Sequence, residues 1–129
     1  MSTSLKISEN AFFNCSQLRT CRLLGENSSV KVSGIGRCAF SGCSSLSKME
    51  GGELLNGEIG EKAFENSGIE EFAIGTGVTA LGKEVFVNSK LKKIAYNNNH
   101  IGLSIHGTTS SLENVFENCT ELNTIDIGP

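Results

Sequence analysis

The 129-residue chain lacks several features that would assign it to a familiar class. It has no Trp, a single Pro and only 6% aromatic residues. No apolar run approaches the roughly 18 residues of a membrane-spanning helix, so we expect no membrane insertion. The N-terminus, Met-Ser-Thr-Ser-Leu-Lys, lacks the charged and then apolar pattern of a signal peptide. The formal net charge is −3, whereas surfaces that bind nucleic acid are basic, so we expect no nucleic-acid partner.

What the chain does have is an internal repeat centred on phenylalanine. Five Phe occupy equivalent places, with spacings of 28, 24, 22 and 30 residues. A small or aliphatic residue directly precedes each one, and Cys or Ser follows three positions later. The five are Phe12, Phe40, Phe64, Phe86 and Phe116. Agreement over so many columns indicates stacked structural units rather than an ordinary globular core.

Each unit contains two apolar patterns. The segment Leu122-Asn-Thr-Ile125-Asp-Ile127 alternates apolar and polar residues, which favours a short strand with one buried face. The segment Ile35-Gly-Arg-Cys-Ala-Phe40 has apolar residues at i, i+4 and i+5, as one turn of helix would. We therefore expect a short strand and a small helical or looped return in each unit. Neither part can bury its apolar side alone, so the units should stack into a solenoid.

Three segments carry a more specific motif: Ile-Gly-x-x-Ala-Phe-x-x-Cys-x-x-Leu at 35–46, Ile-Gly-x-x-Ala-Phe at 59–64 and Val-Thr-Ala-Leu-Gly at 78–82. These segments resemble the BspA-like class of leucine-rich repeats. The resemblance extends from about Ile7 to Ile127. It implies an α/β solenoid with short parallel strands on the concave face and short helical or looped returns. It also implies a surface or secreted adhesion-type protein with no catalytic residues; a cytoplasmic location is the alternative.

The strands of such an array would present charged residues on the concave face. These candidate binding residues are Arg22, Lys48, Glu50, Glu71, Lys93 and Asp126. Neighbouring strands lie about 4.8 Å apart, so Arg22 could reach Glu50, and Glu71 could reach both Lys48 and Lys93. Two interpretations stay open. The charges form a ladder that holds neighbouring strands together, or they form a surface that recognises a protein partner.

The long connection before the fifth Phe is a second candidate binding region. It runs from Tyr96 to Ser111 and contains both histidines of the chain, His100 and His106. Insertions in repeat proteins map to loops on one face, often the binding face. A tolerated surface insertion is the alternative, because the entropy of loop closure grows slowly with length.

The cysteines do not indicate a metal-binding or catalytic role. Cys15, Cys43 and Cys119 share one repeat column with Ser67 and Ser89, which is typical of a small, buried packing position. No Cys-x-x-Cys occurs, so we expect no metal and no cofactor. A catalytic Cys–His pair would need a water-excluding pocket, which nothing in the sequence indicates. We therefore predict that the chain is not an enzyme.

Residues 1–129 thus form a single leucine-rich-repeat solenoid of about five units in this interpretation. Neither end has the polar cap that solenoids usually need, which suggests a fragment of a longer array or self-association through uncapped ends. The leading functional hypothesis is a non-catalytic protein-interaction module. A structural spacer, a self-assembling element without its own ligand and an intracellular interaction protein are the alternatives.

Overall fold

A computed structural model describes residues 3–23, 30–75, 77–96 and 114–126. Within these ranges the chain forms short strands and one 3-10 helix, η1. In chain order the elements are β1 Thr3–Ile7, β2 Thr20–Arg22, β3 Val30–Ile35, β4 Lys48–Glu50, η1 Gly52–Leu54, β5 Gly57–Ile59, β6 Glu71–Ile74, β7 Val78–Leu81, β8 Lys93–Tyr96 and β9 Thr124–Asp126.

The strands are parallel and alternate between two layers. One layer, which we call sheet 1, has the order β1-β3-β5-β7. The other, sheet 2, consists of a β2-β4 section and a β6-β8-β9 section. Except between β4 and β6, the described strands of one unit pair with the equivalent strands of the next, so the chain is a solenoid, as the sequence predicts.

Sheet 2 consists of the strands that the sequence predicts. Thr20 is in register with Lys48, Glu71 with Lys93, and Lys93 with Thr124. Of the two possible returns, helical or looped, the structure has the looped one. The segment from Ile35 to Phe40 is not a turn of helix, because after β3 the chain continues in consecutive turns. Sheet 1 is a second strand layer that the sequence pattern did not predict.

The turns around each Phe share one backbone conformation. Residues two positions before and two positions after the Phe have positive φ, as at Asn10 (60°) and Asn14 (59°) around Phe12. Asn is among the few residues that adopt this left-handed conformation readily, and Gly42 takes the second place in its own unit with φ 79°. The Asn residues at these two places therefore have a conformational role in the turns.

These turns form a regular ladder between units. Alternate N–H groups donate to the next unit: Phe12 N donates to Ala39 O at 2.8 Å, and Phe40 N to Ala63 O at 2.8 Å. The intervening N–H groups close turns within the unit, as Cys15 N does onto Phe12 O at 3.1 Å. The irregular backbone is thus hydrogen-bonded almost as completely as a sheet.

The Phe column forms the centre of the core. Consecutive rings stack with centroids 5.2, 5.3, 5.5 and 5.9 Å apart and with interplanar angles of 14° or less. Phe40, Phe64 and Phe86 are fully buried, and Phe72 of β6 packs against the last two of these rings. Offset stacking adds to the stability gained from apolar burial.

A glycine column allows adjacent units to approach closely at the start of the turns. A Cβ on Gly60 would lie 2.7 Å from Arg37 N, and one on Gly82 would lie 2.4 Å from Glu61 N. A Cβ on Gly36 would likewise lie too close to backbone atoms of the neighbouring unit. No side chain fits these positions without moving backbone.

The Cys and Ser column joins neighbouring units through hydrogen bonds. Cys43 Sγ donates to Phe12 O at 3.1 Å, and Cys119 Sγ donates to Phe86 O at 3.0 Å. Both cysteines are buried as expected, and burial raises the pKa of the Cys43 thiol. Cys15 is exposed, contrary to expectation, because it belongs to the first unit. All five cysteines are free thiols in the structure.

Candidate functional site

The first section of sheet 2 carries a charge cluster that is satisfied internally. Arg22 Nε lies 2.7 Å from Glu50 Oε2, and Lys48 Nζ lies 3.1 Å from Glu50 Oε1. Hydrogen bonds from Arg22 and Lys48 hold the pKa of the Glu50 carboxyl below its usual value. The Arg22–Glu50 contact is the predicted one, whereas Lys48 pairs within its own strand instead of with Glu71. In this section of sheet 2 the charges pair with one another and hold neighbouring strands together, which is the first of the two interpretations of these charged residues.

In the second section of sheet 2, β6-β8-β9, the predicted charged residues are not paired in this way. Glu71 and Lys93 are direct neighbours in register, as predicted. Among the residues that the structure describes, however, neither takes part in an ion pair of 4 Å or less. The pairing in this region is made one position earlier, where Lys92 Nζ lies 3.2 Å from Glu70 Oε1. The two charges in the middle of sheet 2 therefore remain available to a ligand.

The two sections are separated by a break between β4 and β6. Glu70 N still donates to Ser47 O, at 3.4 Å, but the strands that follow do not pair. Gly51, with φ 87°, turns the chain into η1, and Gly52 then packs against the ring of Phe72. A Cβ on Gly52 would lie 3.5 Å from Ala73 O and from the Phe72 ring, so the chain after β4 runs close to β6.

A depression of about 280 Å³ lies at this break. Ala73 and Ala95, neighbours in register, form its floor together with Met49, and Glu71 and Lys93 stand beside it. A second depression of about 360 Å³ adjoins it on the side of Lys48, and both are open to solvent. The arrangement is an apolar floor with one acidic and one basic side chain beside it.

The other predicted site residues do not join this group. Asp126 is exposed on β9, in register with Ala95, and lies at the last described strand. Tyr96 ends β8, with its backbone in register with Ile74; for this residue the structure describes the backbone alone. His100 and His106 lie outside the described residues.

Sequence reasoning did not name Met49, Gly52 and Phe72 as site residues, although all three line the depression. The Gly51-Gly52 pair directly after β4 was the available signal, because adjacent glycines mark a bend. Within the described ranges no cluster of His, Cys, Asp or Glu could hold a metal ion. The described part of the chain also contains no helix long and apolar enough to cross a membrane.

The two parallel layers, the stacked Phe column and the glycine column define a leucine-rich-repeat solenoid. A family model for the BspA type leucine rich repeat region matches residues 5–129 in six copies. The chain therefore belongs to the BspA-type leucine-rich repeat family.

One of two similar solved structures supports this fold. The leucine-rich repeat protein of T. pallidum, TpLRR, superposes with a TM-score of 0.68 at 22% identity, over 94% of this chain and 51% of that one. A leucine-rich repeat protein from Bacteroides ovatus ATCC 8483 covers 96% of this chain and 60% of its own, at 16% identity and a TM-score of 0.34. The chain thus spans about half the length of TpLRR. A search of the curated proteins finds no match.

Proposed function

We propose that the chain is a non-catalytic protein-interaction module that binds its partner on sheet 2, over the depression at the break between β4 and β6. One observation carries this proposal: Glu71 and Lys93 make no ion pair among the described residues and stand beside an apolar floor. Elsewhere on the same sheet, the Arg22 and Lys48 charges are taken up by Glu50.

The geometry supports a contact in which an apolar side chain of the partner lies between two ion pairs. Ala73 and Ala95 are small, so a partner's apolar side chain can approach the backbone of β6 and β8 closely. Glu71 and Lys93 would then pair with opposite charges on the partner and set its orientation. The Arg22–Glu50–Lys48 cluster would lie at the rim of such a contact, and Asp126 beyond it, where charges affect association rate more than affinity.

Charge reversal on sheet 2 tests the proposal. The double variant Glu71→Lys/Lys93→Glu keeps the net charge and exchanges the two signs. It should lose partners that the unaltered chain captures from a surface-protein extract, as measured by quantitative mass spectrometry, and should weaken binding of a purified partner at least tenfold. Lys90→Glu, at an exposed position before β8, is the control and should bind normally. Equal binding by the double variant and the unaltered chain would refute this site.

We further propose an adhesion role at the cell surface or outside the cell. Membership of the BspA-type family supports it. Protease treatment of intact cells tests the location: a surface protein is cleaved while a cytoplasmic marker survives. Protection of the chain would favour the alternative, an intracellular interaction protein.

The long connection with Tyr96, His100 and His106 is proposed as a second contact region, and its replacement by a short Gly-Ser loop should weaken partner binding.

A further inference from the structure

Two of the five cysteines are direct neighbours in the Cys and Ser column. Cys15 and Cys43 occupy this column in two adjacent units. The backbone joins these units next to the two cysteines, since Asn14 N donates to Ser41 O at 2.7 Å. Backbones joined in this way lie about 4.8 Å apart, and the two Cα atoms of a disulfide lie roughly 4.4–6.8 Å apart. The spacing between the units therefore suits a bond between the two sulfurs.

The sulfur of Cys43 lies against the backbone of Cys15. One carbonyl oxygen, Phe12 O, accepts both from Cys43 Sγ at 3.1 Å and from Cys15 N at 3.1 Å. The pKa of the Cys43 thiol agrees with this contact. Burial is the main cause of its increase, the backbone of Cys15 opposes the increase by hydrogen bonding, and the Cys15 thiol adds to it. The thiol of Cys43 is thus already directed at the unit that contains Cys15.

Another pair in the same column shows how closely its side chains approach. Ser89 and Cys119 stand in two later units, and their Oγ and Sγ atoms lie 3.5 Å apart. Cys119 Sγ donates to Phe86 O at 3.0 Å, just as Cys43 Sγ donates to the equivalent carbonyl of its own neighbouring unit. Because the units share one backbone conformation, we expect the sulfurs of Cys15 and Cys43 to lie within similar reach of each other.

From these contacts we propose that Cys15 and Cys43 form a disulfide that joins and stabilises the two units when the chain meets a disulfide oxidant of the glutathione class. The thiolate of one cysteine attacks the small disulfide and releases one thiol. The thiolate of the other cysteine then attacks the mixed disulfide and releases the second thiol. The chain loses two protons and two electrons, and the oxidant becomes two thiols. Bonds of this kind persist in oxidising compartments.

The bond would close a loop that contains β2 and β3. Cross-links stabilise a fold mainly by restricting the unfolded chain. The unaltered chain should therefore unfold at a higher urea concentration when oxidised than when reduced, whereas Cys15→Ser should unfold at the same concentration in both states. Equal midpoints for the oxidised and reduced unaltered chain would overturn the stabilising role of the bond.

Refolding in a buffer with equal concentrations of oxidised and reduced glutathione, followed by alkylation and mass spectrometry, tests the formation of the bond. Most chains should carry one disulfide and three alkylated thiols, and the disulfide should link the tryptic peptides 7–19 and 38–48. The second peptide contains both Cys38 and Cys43, so fragmentation spectra identify the partner. Five alkylated thiols in most chains, or a bridge through Cys21 or Cys38, would overturn the proposal.

Serine variants make the assignment specific. Cys15→Ser and Cys43→Ser should each remove the disulfide, and both should fold, because Ser67 and Ser89 occupy the same column in other units. Cys119→Ser is the matched control and should form the bridge normally. Ser89→Cys adds a thiol beside Cys119 and should produce a second bridge, as the 3.5 Å approach in this column predicts. Loss of the bridge in Cys119→Ser, or its persistence in Cys43→Ser, would refute the pairing.

Discussion

Truncation of two Phe in the same column should have very different effects on stability. Phe64 is fully buried, and its ring lies between Phe40 at 5.3 Å and Phe86 at 5.5 Å, with Phe72 at 5.3 Å. A buried Phe→Ala substitution costs about 3–5 kcal/mol. Three ring contacts put Phe64→Ala in the upper half of that range, at about 4–5 kcal/mol.

Phe12 is 39% exposed, and within the described residues its ring stacks on one other ring, that of Phe40, at 5.2 Å. Because part of its surface is already in water, we expect Phe12→Ala to cost about 1–2 kcal/mol. Urea denaturation followed by circular dichroism measures both free energies of unfolding. Equal costs, or a larger cost for Phe12→Ala, would refute the assignment of the column as a core whose burial depends on neighbouring units.

Three further predictions concern other columns. Gly60→Ala should destabilise the fold by at least about 2 kcal/mol in urea denaturation, because the added Cβ meets backbone; a cost under about 0.5 kcal/mol would contradict the close approach. Ser67 Oγ is buried with no hydrogen-bond partner among the described residues, whereas Ser89 Oγ accepts from Leu91 N at 3.4 Å. Ser67→Ala should therefore be neutral or stabilising in thermal unfolding and Ser89→Ala should cost about 1 kcal/mol; the reverse order would disprove this reasoning. The lowered pKa of Glu50 means that its cluster stabilises the fold above the pKa of an unfolded Glu and that this contribution disappears as the pH falls through the lowered pKa. Urea titrations at several pH values should show a shallower acid decline for Glu50→Gln than for the unaltered chain, and parallel curves would argue against a stabilising cluster.

The strands of sheet 2 were predictable because each one repeats the same columns. Once the Phe are aligned, Lys48 falls beside Thr20 and Lys93 beside Glu71 without any knowledge of the structure. Which charges then pair was not predictable. Lys48 contacts Glu50 rather than Glu71 because the sheet breaks between β4 and β6, and the Gly51-Gly52 pair that accompanies the break lies outside the aligned columns.

Sheet 1 was not predicted from the sequence, for a different reason. Its strands contain glycines at irregular points, such as Gly34 in β3 and Gly57 in β5, and the register shifts between Gly57 and Glu58. These irregularities interrupt the alternation by which a strand is recognised. The left-handed backbone at Cys38 and Lys62 was equally hidden, because those residue types rarely adopt it.

The paired left-handed positions around each Phe have a consequence for how such a chain can vary. They stand four residues apart in every unit, for instance at Lys62 and Asn66, so the segment between them has a fixed length. One residue inserted or deleted there would shift the left-handed conformation onto the wrong side chains and turn the Phe away from its neighbours. The spacing between Phe nevertheless ranges from 22 to 30 residues. Changes in length are therefore confined to the connections, and an evolving array can gain or lose residues there while its Phe column stays in line.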